Sequence, residues 1–389
     1  MKITHLVLNN FTNDARVHKE AATLVSAGHQ VSVIALWQTG LPEREEQAGY
    51  RVIRIRLRSR PWRGKIIAPL VKYLEFAWRV WRFARREPAH VFHANDANTL
   101  PAAWLAARST KAALLYDAHE LETGRNFSSS QLGDFYRDVW AWPEKFLIHK
   151  TRVVITVNPS ISDEIARLYQ IPKPYVIMNC PVWQPPQTSD RLRRELCIPA
   201  PLKIIVYQGR VAAGRGIENF LTAVQQVQGT AGVVLGDGPS LEVLRQRVQS
   251  GEWQRVYLPG KVSLNDLPDY TASADIGMVL IQPTCLSYRL SLPNKLFEYL
   301  HAGLAVVGSD LPEIGRVIRE HQAGEVTDPD DTGAIAASLH RLLDDPDRLE
   351  RAKANALQAA THFTWQQESQ RLLEIYRSLE SSSRKDQHD

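Results

Sequence analysis

The sequence predicts an α/β protein in two halves, each built from buried parallel strands alternating with helices. Three observations predict it. The chain opens as strand, helix, strand: Lys2–Leu8, a polar turn at Asn9–Thr12, apolar residues Ala15, Val17, Ala21, Leu24 and Val25 at helical spacing up to Gly28, then Val31–Ala35. The same alternation restarts at Ile204–Tyr207, with a glycine-bearing turn and a helix from Ile217. Between the two lies Pro181–Asp190, whose VWQPPQTSD is proline-rich and polar, as a linker should be. A length of 389 residues leaves room for two domains and a sizeable core.

Composition narrows the class. A hydrophobic fraction of 44% is ordinary for a globular chain, and no apolar run is long enough to span a bilayer. The three cysteines, Cys180, Cys197 and Cys285, stand far apart with no metal or redox spacing, which fits a reducing compartment. The start, MKITHLVLNN, runs from a strand into a helix pattern with no signal peptide. A soluble, cytoplasmic protein is therefore expected. Its +5 net charge is uneven: Arg51 to Arg86 holds twelve Lys and Arg against one Glu, so this segment is +11 and the remainder −6.

That basic segment has three readings. Arg51–Arg58 alternates Arg with apolar residues, a strand with one basic face. Trp62 to Arg86 mixes cations with Trp62, Tyr73, Phe76, Trp78, Trp81 and Phe83. This suits a helix on an anionic membrane surface, peripheral on its inner face. It also suits an ordinary helix with aromatics in the core and cations in water. A nucleic-acid patch is the third reading, but no nucleic-acid motif accompanies the charge, so no nucleic-acid partner is expected.

The first half offers polar groups at strand ends. Its opening has no G-x-G-x-x-G, which argues against a dinucleotide cofactor; Asn13 or Asp14 can cap the first helix. His90-Val-Phe-His-Ala-Asn-Asp96 is a strand ending in a polar turn, followed by a helix over Thr99–Ala107. Ala112–Tyr116 delivers Asp117-Ala-His119-Glu120 at its carboxyl end, where ligands of open α/β sheets gather. His93, Asp96, Asp117 and Glu120 can equally lock turns. The H-x-E at His119 is no zinc signature, because no Cys-x-x-Cys follows. Ser128–Val154 reads as aromatic and basic helical turns, and Val153–Val157 as a strand leading to a helix at Asn158-Pro-Ser160.

The second half reads as an anion site. In Gln208-Gly-Arg-Val-Ala-Ala-Gly-Arg-Gly216, backbone N–H groups such as that of Gly209 can face a phosphate, and Arg210 and Arg215 can clamp a diphosphate. Gly236-Asp-Gly-Pro239 is a tight turn after a strand, its glycines serving the turn. Ser291-Leu-Pro-Asn-Lys295 starts a helix, with Asn294, Lys295 and Leu296 at an anion-binding terminus and Glu298 one turn in, near sugar hydroxyls. The alternative is a plain αβ unit with solvated Lys and Glu. Asp328-Pro-Asp330 and Asp345-Pro-Asp347 look like D-x-D metal motifs only as text; each flanks a helix, where Asp caps and Pro sits in the first turn. No metal is expected.

SLPNKLFEYLHAG followed by VVGSDLPE resembles the nucleotide-sugar segment of family-4 glycosyltransferases, two-domain enzymes of the GT-B fold. NNFTNDARVHKEAATLVSAGHQVSVIA, VFHANDANTLPAAWLAA and LLYDAHELE resemble the same family, as does GDGP, so the likeness runs from Lys2 to about Tyr376. It implies two Rossmann-like, doubly wound domains facing across a cleft: 1–180 on the acceptor side, a linker over 181–200, and the nucleotide-sugar domain over 201–364. A closing helix over 365–379 would pack back toward the first domain, with a disordered tail over 380–389. It places Glu298 on the nucleotide ribose, His119 near the reacting carbon, Asp14 and Arg16 in the cleft, and Lys261-Val262 in the loop whose backbone holds the base. Arg215 stands where the family has Lys, and Leu290 where its commonest form has a second Glu.

The implied reaction is retaining transfer of a sugar, of the hexosyltransferase type, from a nucleotide-diphosphate sugar to a hydroxyl acceptor. Polysaccharide, glycolipid or glycoconjugate synthesis is the expected setting, with no permanently bound cofactor. Catalytic roles fall to His119, Arg210 and Arg215. Two alternatives stay open: a nucleotide-sugar epimerase of the same architecture, and a non-catalytic nucleotide-sugar-binding partner subunit.

Overall fold

A computed structural model describes residues 1–64, 67–121, 124 and 143–385, with side chains described to 381. The chain divides into two units: residues 1–179 with 368–389, and residues 180–367.

The first unit contains β1 (Lys2–Leu6), α1 (Ala15–Ser26), β2 (Gln30–Leu36), β3 (Arg44–Gln47), β4 (Tyr50–Ile55), α2 (Ile67–Arg86), β5 (Val91–Asn95), α3 (Leu100–Thr110), β6 (Ala113–Ala118), β7 (Val153–Thr156), α4 (Pro159–Tyr169) and β8 (Tyr175–Val176). Among the described residues its sheet has eight strands in the order β3-β4-β2-β1-β5-β6-β7-β8. All pairings are parallel except β3 with β4. The chain runs outward from β1 through β2 and returns to β1's other side as β5. The switch point, where open α/β sheets bind ligands, therefore lies at the carboxyl ends of β1 and β5.

Helix α1 shows how sequence fixes an element. Asp14 accepts the Val17 N–H as N-cap, and Val17, Ala21 and Leu24 turn inward at i, i+4, i+7. Burying Val17 and Leu24 contributes about 1.5–3 kcal/mol each. The basic face expected on Arg51–Arg58 does not form as such. The strand ends at Ile55, and Arg54 turns inward to pair with Glu45 at 2.6 Å and to donate to the Asn10 and Pro42 carbonyls. A guanidinium with five donors can be buried where carbonyls and a carboxylate satisfy it.

The second unit contains α5 (Arg191–Glu195), β9 (Lys203–Gln208), α6 (Ile217–Gln226), β10 (Thr230–Leu235), α7 (Leu241–Gln249), β11 (Val256–Gly260), α8 (Leu267–Ala272), β12 (Ile276–Val279), α9 (Leu286–Arg289), α10 (Asn294–His301), β13 (Ala305–Ser309), α11 (Pro312–His321), β14 (Gly324–Thr327), α12 (Thr332–Leu343) and α13 (Pro346–Ala360). Its strands run β11-β10-β9-β12-β13-β14, all parallel, with the switch point between β9 and β12. Ile205, Tyr207, Phe220, Val224, Met278, Val307 and Leu339 belong to its core. Asp345 caps α13 with Pro346 in the first turn, the structural role expected of that D-x-D.

Two further expectations need correction. The proposed linker contains α5, whose Leu192 is buried and whose Arg191 pairs with Asp266 at 2.9 Å. The tail expected to be disordered from residue 380 continues as helix: α14 runs Trp365–Lys385 because Leu372, Ile375, Tyr376 and Leu379 form one buried stripe that carries it on. Residues 386–389, and most of the turns read over 128–154, lie outside the described residues.

Candidate active site

In the second unit, two loops meet at the switch point. β9 ends at Gln208, and the following loop passes through Gly209 to Gly216 before α6. Gly216 has φ +63°, and a Cβ there would stand 2.6 Å from the Leu280 carbonyl oxygen just past β12, so only glycine permits this approach. The Gly236 turn presses equally close: a Cβ at Gly236 would lie 1.8 Å from the Gly209 carbonyl. Backbone bonds Gly209 N–H to Leu235 O, Val211 N–H to Asp237 O and Gly236 N–H to Gly260 O join the loops after β9, β10 and β11. The GDGP glycines, expected to serve the turn, also permit its close backbone approach to the loop after β9.

The cations collect here. Lys295, in the first turn of α10, is buried with Nζ 3.5 Å from the Tyr207 ring centroid. Burial, and then the positive charge of Arg215, hold its pKa well below the ordinary 10.5, against the pull of Glu298. The Arg215 guanidinium lies 4.6 Å over the Tyr288 ring, and its Nε is buried with no hydrogen-bond partner among the described residues. Pro293 precedes α10 and provides no side-chain cap, which leaves first-turn N–H groups open to an anion. Glu298 accepts from the Gln208 amide, whose own oxygen accepts from Thr271 at 2.7 Å. The plain αβ unit with solvated Lys and Glu is not what forms.

The other expected donor residues are placed as follows. Gly209, Arg210 and Asn294 are exposed on the loop and the helix end. Lys261 is exposed and Val262 half-buried immediately after β11. Leu296 departs from expectation: its side chain is core and its N–H bonds the Pro293 carbonyl, so neither is available to a ligand. Leu290 is half-buried just after α9. A cavity of about 250 Å³ opens beside the glycine loop, lined in part by Ala212, Ala213, Gly216, Glu218, Asn219 and Gln282.

In the first unit, Arg16 from α1 meets Asp117 at the end of β6. Two bonds join them, Nε to Oδ2 at 2.8 Å and an Nη to Oδ1 at 2.9 Å, while the other Nη donates to Ile177 O at 2.6 Å. Both residues, expected in contact with a cleft or acceptor, are buried. They hold His119, whose Nε2 is 3.2 Å from Asp117 Oδ2, with Asp96 3.6 Å from its Nδ1. Burial works against the imidazolium, but Asp96 and Asp117 prevail and raise its pKa to about 10. Asp96 sits at φ +67° in the turn after β5, and Asp96, His119 and Glu120 are all partly exposed. Asp14 caps α1 and accepts from the Asn9 amide at 3.0 Å.

Behind this group, His5 and His93 are register partners on β1 and β5, with rings 4.2 Å apart. Glu20 from α1 faces them, one turn beyond Arg16 and 3.0 Å from its Nε. Apart from that ion pair, Glu20's oxygens, His5 Nε2 and His93 Nε2 are buried without hydrogen-bond partners among the described residues. Among the described residues this is the group of metal-ligating type, its atoms within 4.8 Å of one another. Arg16 already supplies the cation, and burial raises the Glu20 carboxyl to about 8 while Asp117, paired with Arg16, is pulled well below 3.8. A neutral Glu20 beside an ionised Asp117 accounts for the charges. His93 Nδ1 is 2.8 Å from the Tyr376 hydroxyl of α14, in the same unit. Sequence reasoning missed Tyr207, Gln208 and Tyr288 at one site and Glu20 at the other; the Arg16–Glu20 spacing was the one available signal.

Two Rossmann-like units with these sites at their switch points define the GT-B fold class. A Glycosyl transferase 4-like domain model matches residues 14–180 and a Glycosyl transferases group 1 model matches residues 202–345. The chain belongs to the family-4 glycosyltransferases. It is similar to alpha-D-kanosaminyltransferase of Streptomyces kanamyceticus, 26% identical over 61% of this chain and 63% of that one. D-inositol 3-phosphate glycosyltransferase of Thermobispora bispora is 23% identical over 70% and 67%. The chain thus spans less than two thirds of the first relative's length. Among solved structures, sucrose-phosphate synthase from Thermosynechococcus elongatus shares the fold at TM-score 0.82 and 19% identity, over 98% of this chain and 100% of that one. Anabaena HepE in complex with UDP-glucose does so at 0.75 and 16%, over 97% and 100%.

Proposed function

We propose that the protein transfers a sugar from a nucleotide-diphosphate sugar to a hydroxyl acceptor, with retention of configuration and without a metal. The observation that carries this is a pair of cations that form no salt bridge among the described residues: Arg215, whose buried Nε has no hydrogen-bond partner there, and Lys295, buried beside it at an uncapped helix end with Glu298 as the nearby carboxylate. A diphosphate supplies what that arrangement lacks. HepE, of the same fold, is bound to UDP-glucose. In this reading Arg210, Arg215, Lys295 and the N–H group at Asn294 hold the diphosphate, while the Gly209 N–H, expected to face a phosphate, is engaged by the Leu235 carbonyl. Glu298 takes the ribose, and the backbone at Lys261–Val262 the base.

The chemistry follows from charge. The bond from the anomeric carbon to the diphosphate breaks, and negative charge gathers on the leaving oxygens, where preorganised cations stabilise it. The acceptor oxygen bonds the same face of that carbon and passes its proton to the departing phosphate. His119, held as a cation by Asp96 and Asp117, positions and polarises the sugar. A glycosidase-type mechanism would need two flanking carboxylates instead. The acceptor is a glycan, a lipid-linked saccharide or a small molecule, in polysaccharide or glycoconjugate synthesis, and residues 51–86 give peripheral contact with an anionic membrane. Leu290 favours a second reading, a nucleotide-sugar binder without turnover, because it puts an apolar side chain where the family's commonest form has a carboxylate.

The test is thermal shift against nucleoside diphosphates and their common sugars, with Glu298→Ala in parallel. A ligand at a hundredfold excess over its Kd stabilises by about 2.7 kcal/mol, which is readily seen. One nucleotide should stabilise wild type and the variant much less; no shift with any nucleotide would sink the reading. Nucleotide release that needs an acceptor separates transfer from binding alone.

A further inference from the structure

Helix α2 has two apolar faces. One, formed by Ala68, Phe76, Val80 and Ala84, is buried. The other faces water: Ile67 is 72% exposed, Leu70 54%, Leu74 58% and Trp78 47%. Their spacing of three, four and four residues makes one continuous stripe, and Trp62, 55% exposed, precedes it. Scattered apolar residues on a surface are normal; a continuous line of large ones marks a contact. Of the aromatics read as membrane-facing or core, Phe76 is core, whereas Trp62 and Trp78 face out.

The charge around the stripe says what the contact is. Arg85 continues it at helical spacing, and Arg82 and Arg86 flank it. The Arg82 and Arg85 guanidinium groups lie 5.5 Å and 5.4 Å over the Trp78 and Trp81 rings. Among the described residues Arg82, Arg85 and Arg86 have no carboxylate partner, whereas Arg79 pairs with Glu75 at 2.8 Å. A second copy pairing through the same face of α2 would bring more cations and no unengaged carboxylate, because Glu75, the helix's one acid, is held by Arg79 and Ser59. Anionic headgroups would pair with those cations while acyl chains take up the apolar residues. No described helix is long and apolar enough to cross a membrane, so α2 would lie along the surface.

We propose that the face of α2 formed by Ile67, Leu70, Leu74 and Trp78, with Trp62, inserts into the interface of an anionic bilayer, with Arg82, Arg85 and Arg86 at the headgroups. This rests on the peripheral-contact reading above and narrows it to one face.

Flotation with phosphatidylcholine vesicles, with and without phosphatidylglycerol, tests it. Wild type should float only with phosphatidylglycerol. The triple variant Arg82→Gln/Arg85→Gln/Arg86→Gln should lose about fivefold in partitioning per cation removed. Leu74→Ser/Trp78→Ser should fall out of the floating fraction with an unchanged circular dichroism spectrum, all the altered side chains being exposed. Wild type that stays unbound to anionic vesicles overturns the contact reading and this face with it. Wild type that floats while every α2 variant floats equally overturns the face alone. A dimer by light scattering that Leu74→Ser/Trp78→Ser splits would give the face to a second copy instead.

Discussion

Lys295 is buried and repelled by Arg215, and the lysine yields by holding its proton weakly. An arriving diphosphate reverses that balance, so Lys295 regains affinity for its proton as the ligand binds. Nucleotide binding is expected to take up protons at any pH that lies between the depressed pKa of Lys295 in the free protein and its restored pKa in the complex. Titration calorimetry in buffers of different ionisation enthalpy reads this directly, and a heat independent of buffer in wild type would count against it. Lys295→Met should abolish the uptake and weaken binding on the order of tenfold. Glu20 offers a second test by stability. Its folded pKa, about 8, lies above the ordinary 4.5, so its contribution is complete below about pH 4.5 and is lost as pH rises through 8. Glu20→Gln, neutral at every pH, should flatten the fall in melting temperature between about pH 5 and about pH 9. An equally steep fall in the variant would assign the effect elsewhere. Lys295, Glu298, Arg210, Arg215 and His119 could be singled out as candidates in the sequence because each sits in a short motif at a strand or helix end. Tyr288 under Arg215 could not, nor could Tyr376, 283 residues from its partner His93, because those contacts exist only after the sheets have formed.

At the scale of elements, the donor side depends on loops that touch through backbone atoms. Gly236→Ala would force a Cβ onto the Gly209 carbonyl, so the loop after β9 must move or the Gly236 turn must open. A loss of roughly 2–4 kcal/mol is expected, together with loss of the nucleotide-induced thermal shift. A variant that melts lower yet still responds fully to nucleotide would show that the Gly209 loop does not need this support. Periodicity made most of the parallel strands readable, since strands buried on both faces are short apolar runs. It did not reveal β3, whose Arg44–Gln47 is polar throughout, pairs antiparallel at the sheet edge and has no buried face to mark it. It also could not tell which of the apolar residues in α2 face inward, because both faces carry large side chains.

At the scale of the whole molecule, the chain crosses from one unit to the other twice, near residues 179 and 367. The first unit is completed by α14, where Glu368 accepts the Met178 N–H at 2.9 Å and Tyr376 meets His93. Scanning calorimetry should show a transition that nucleotide raises and another it leaves in place, and truncation after Gln367 should lower the second. A truncated chain with both transitions intact would mean that α14 is dispensable to the first unit. The second unit is thus an insertion in the first. During synthesis the ribosome makes residues 180–367, a unit with its own core and sheet, while the sheet made earlier still lacks the helix that covers His93. The half of the protein that is translated first must therefore wait for residues 368–385, which cover the His5, His93 and Glu20 group behind His119.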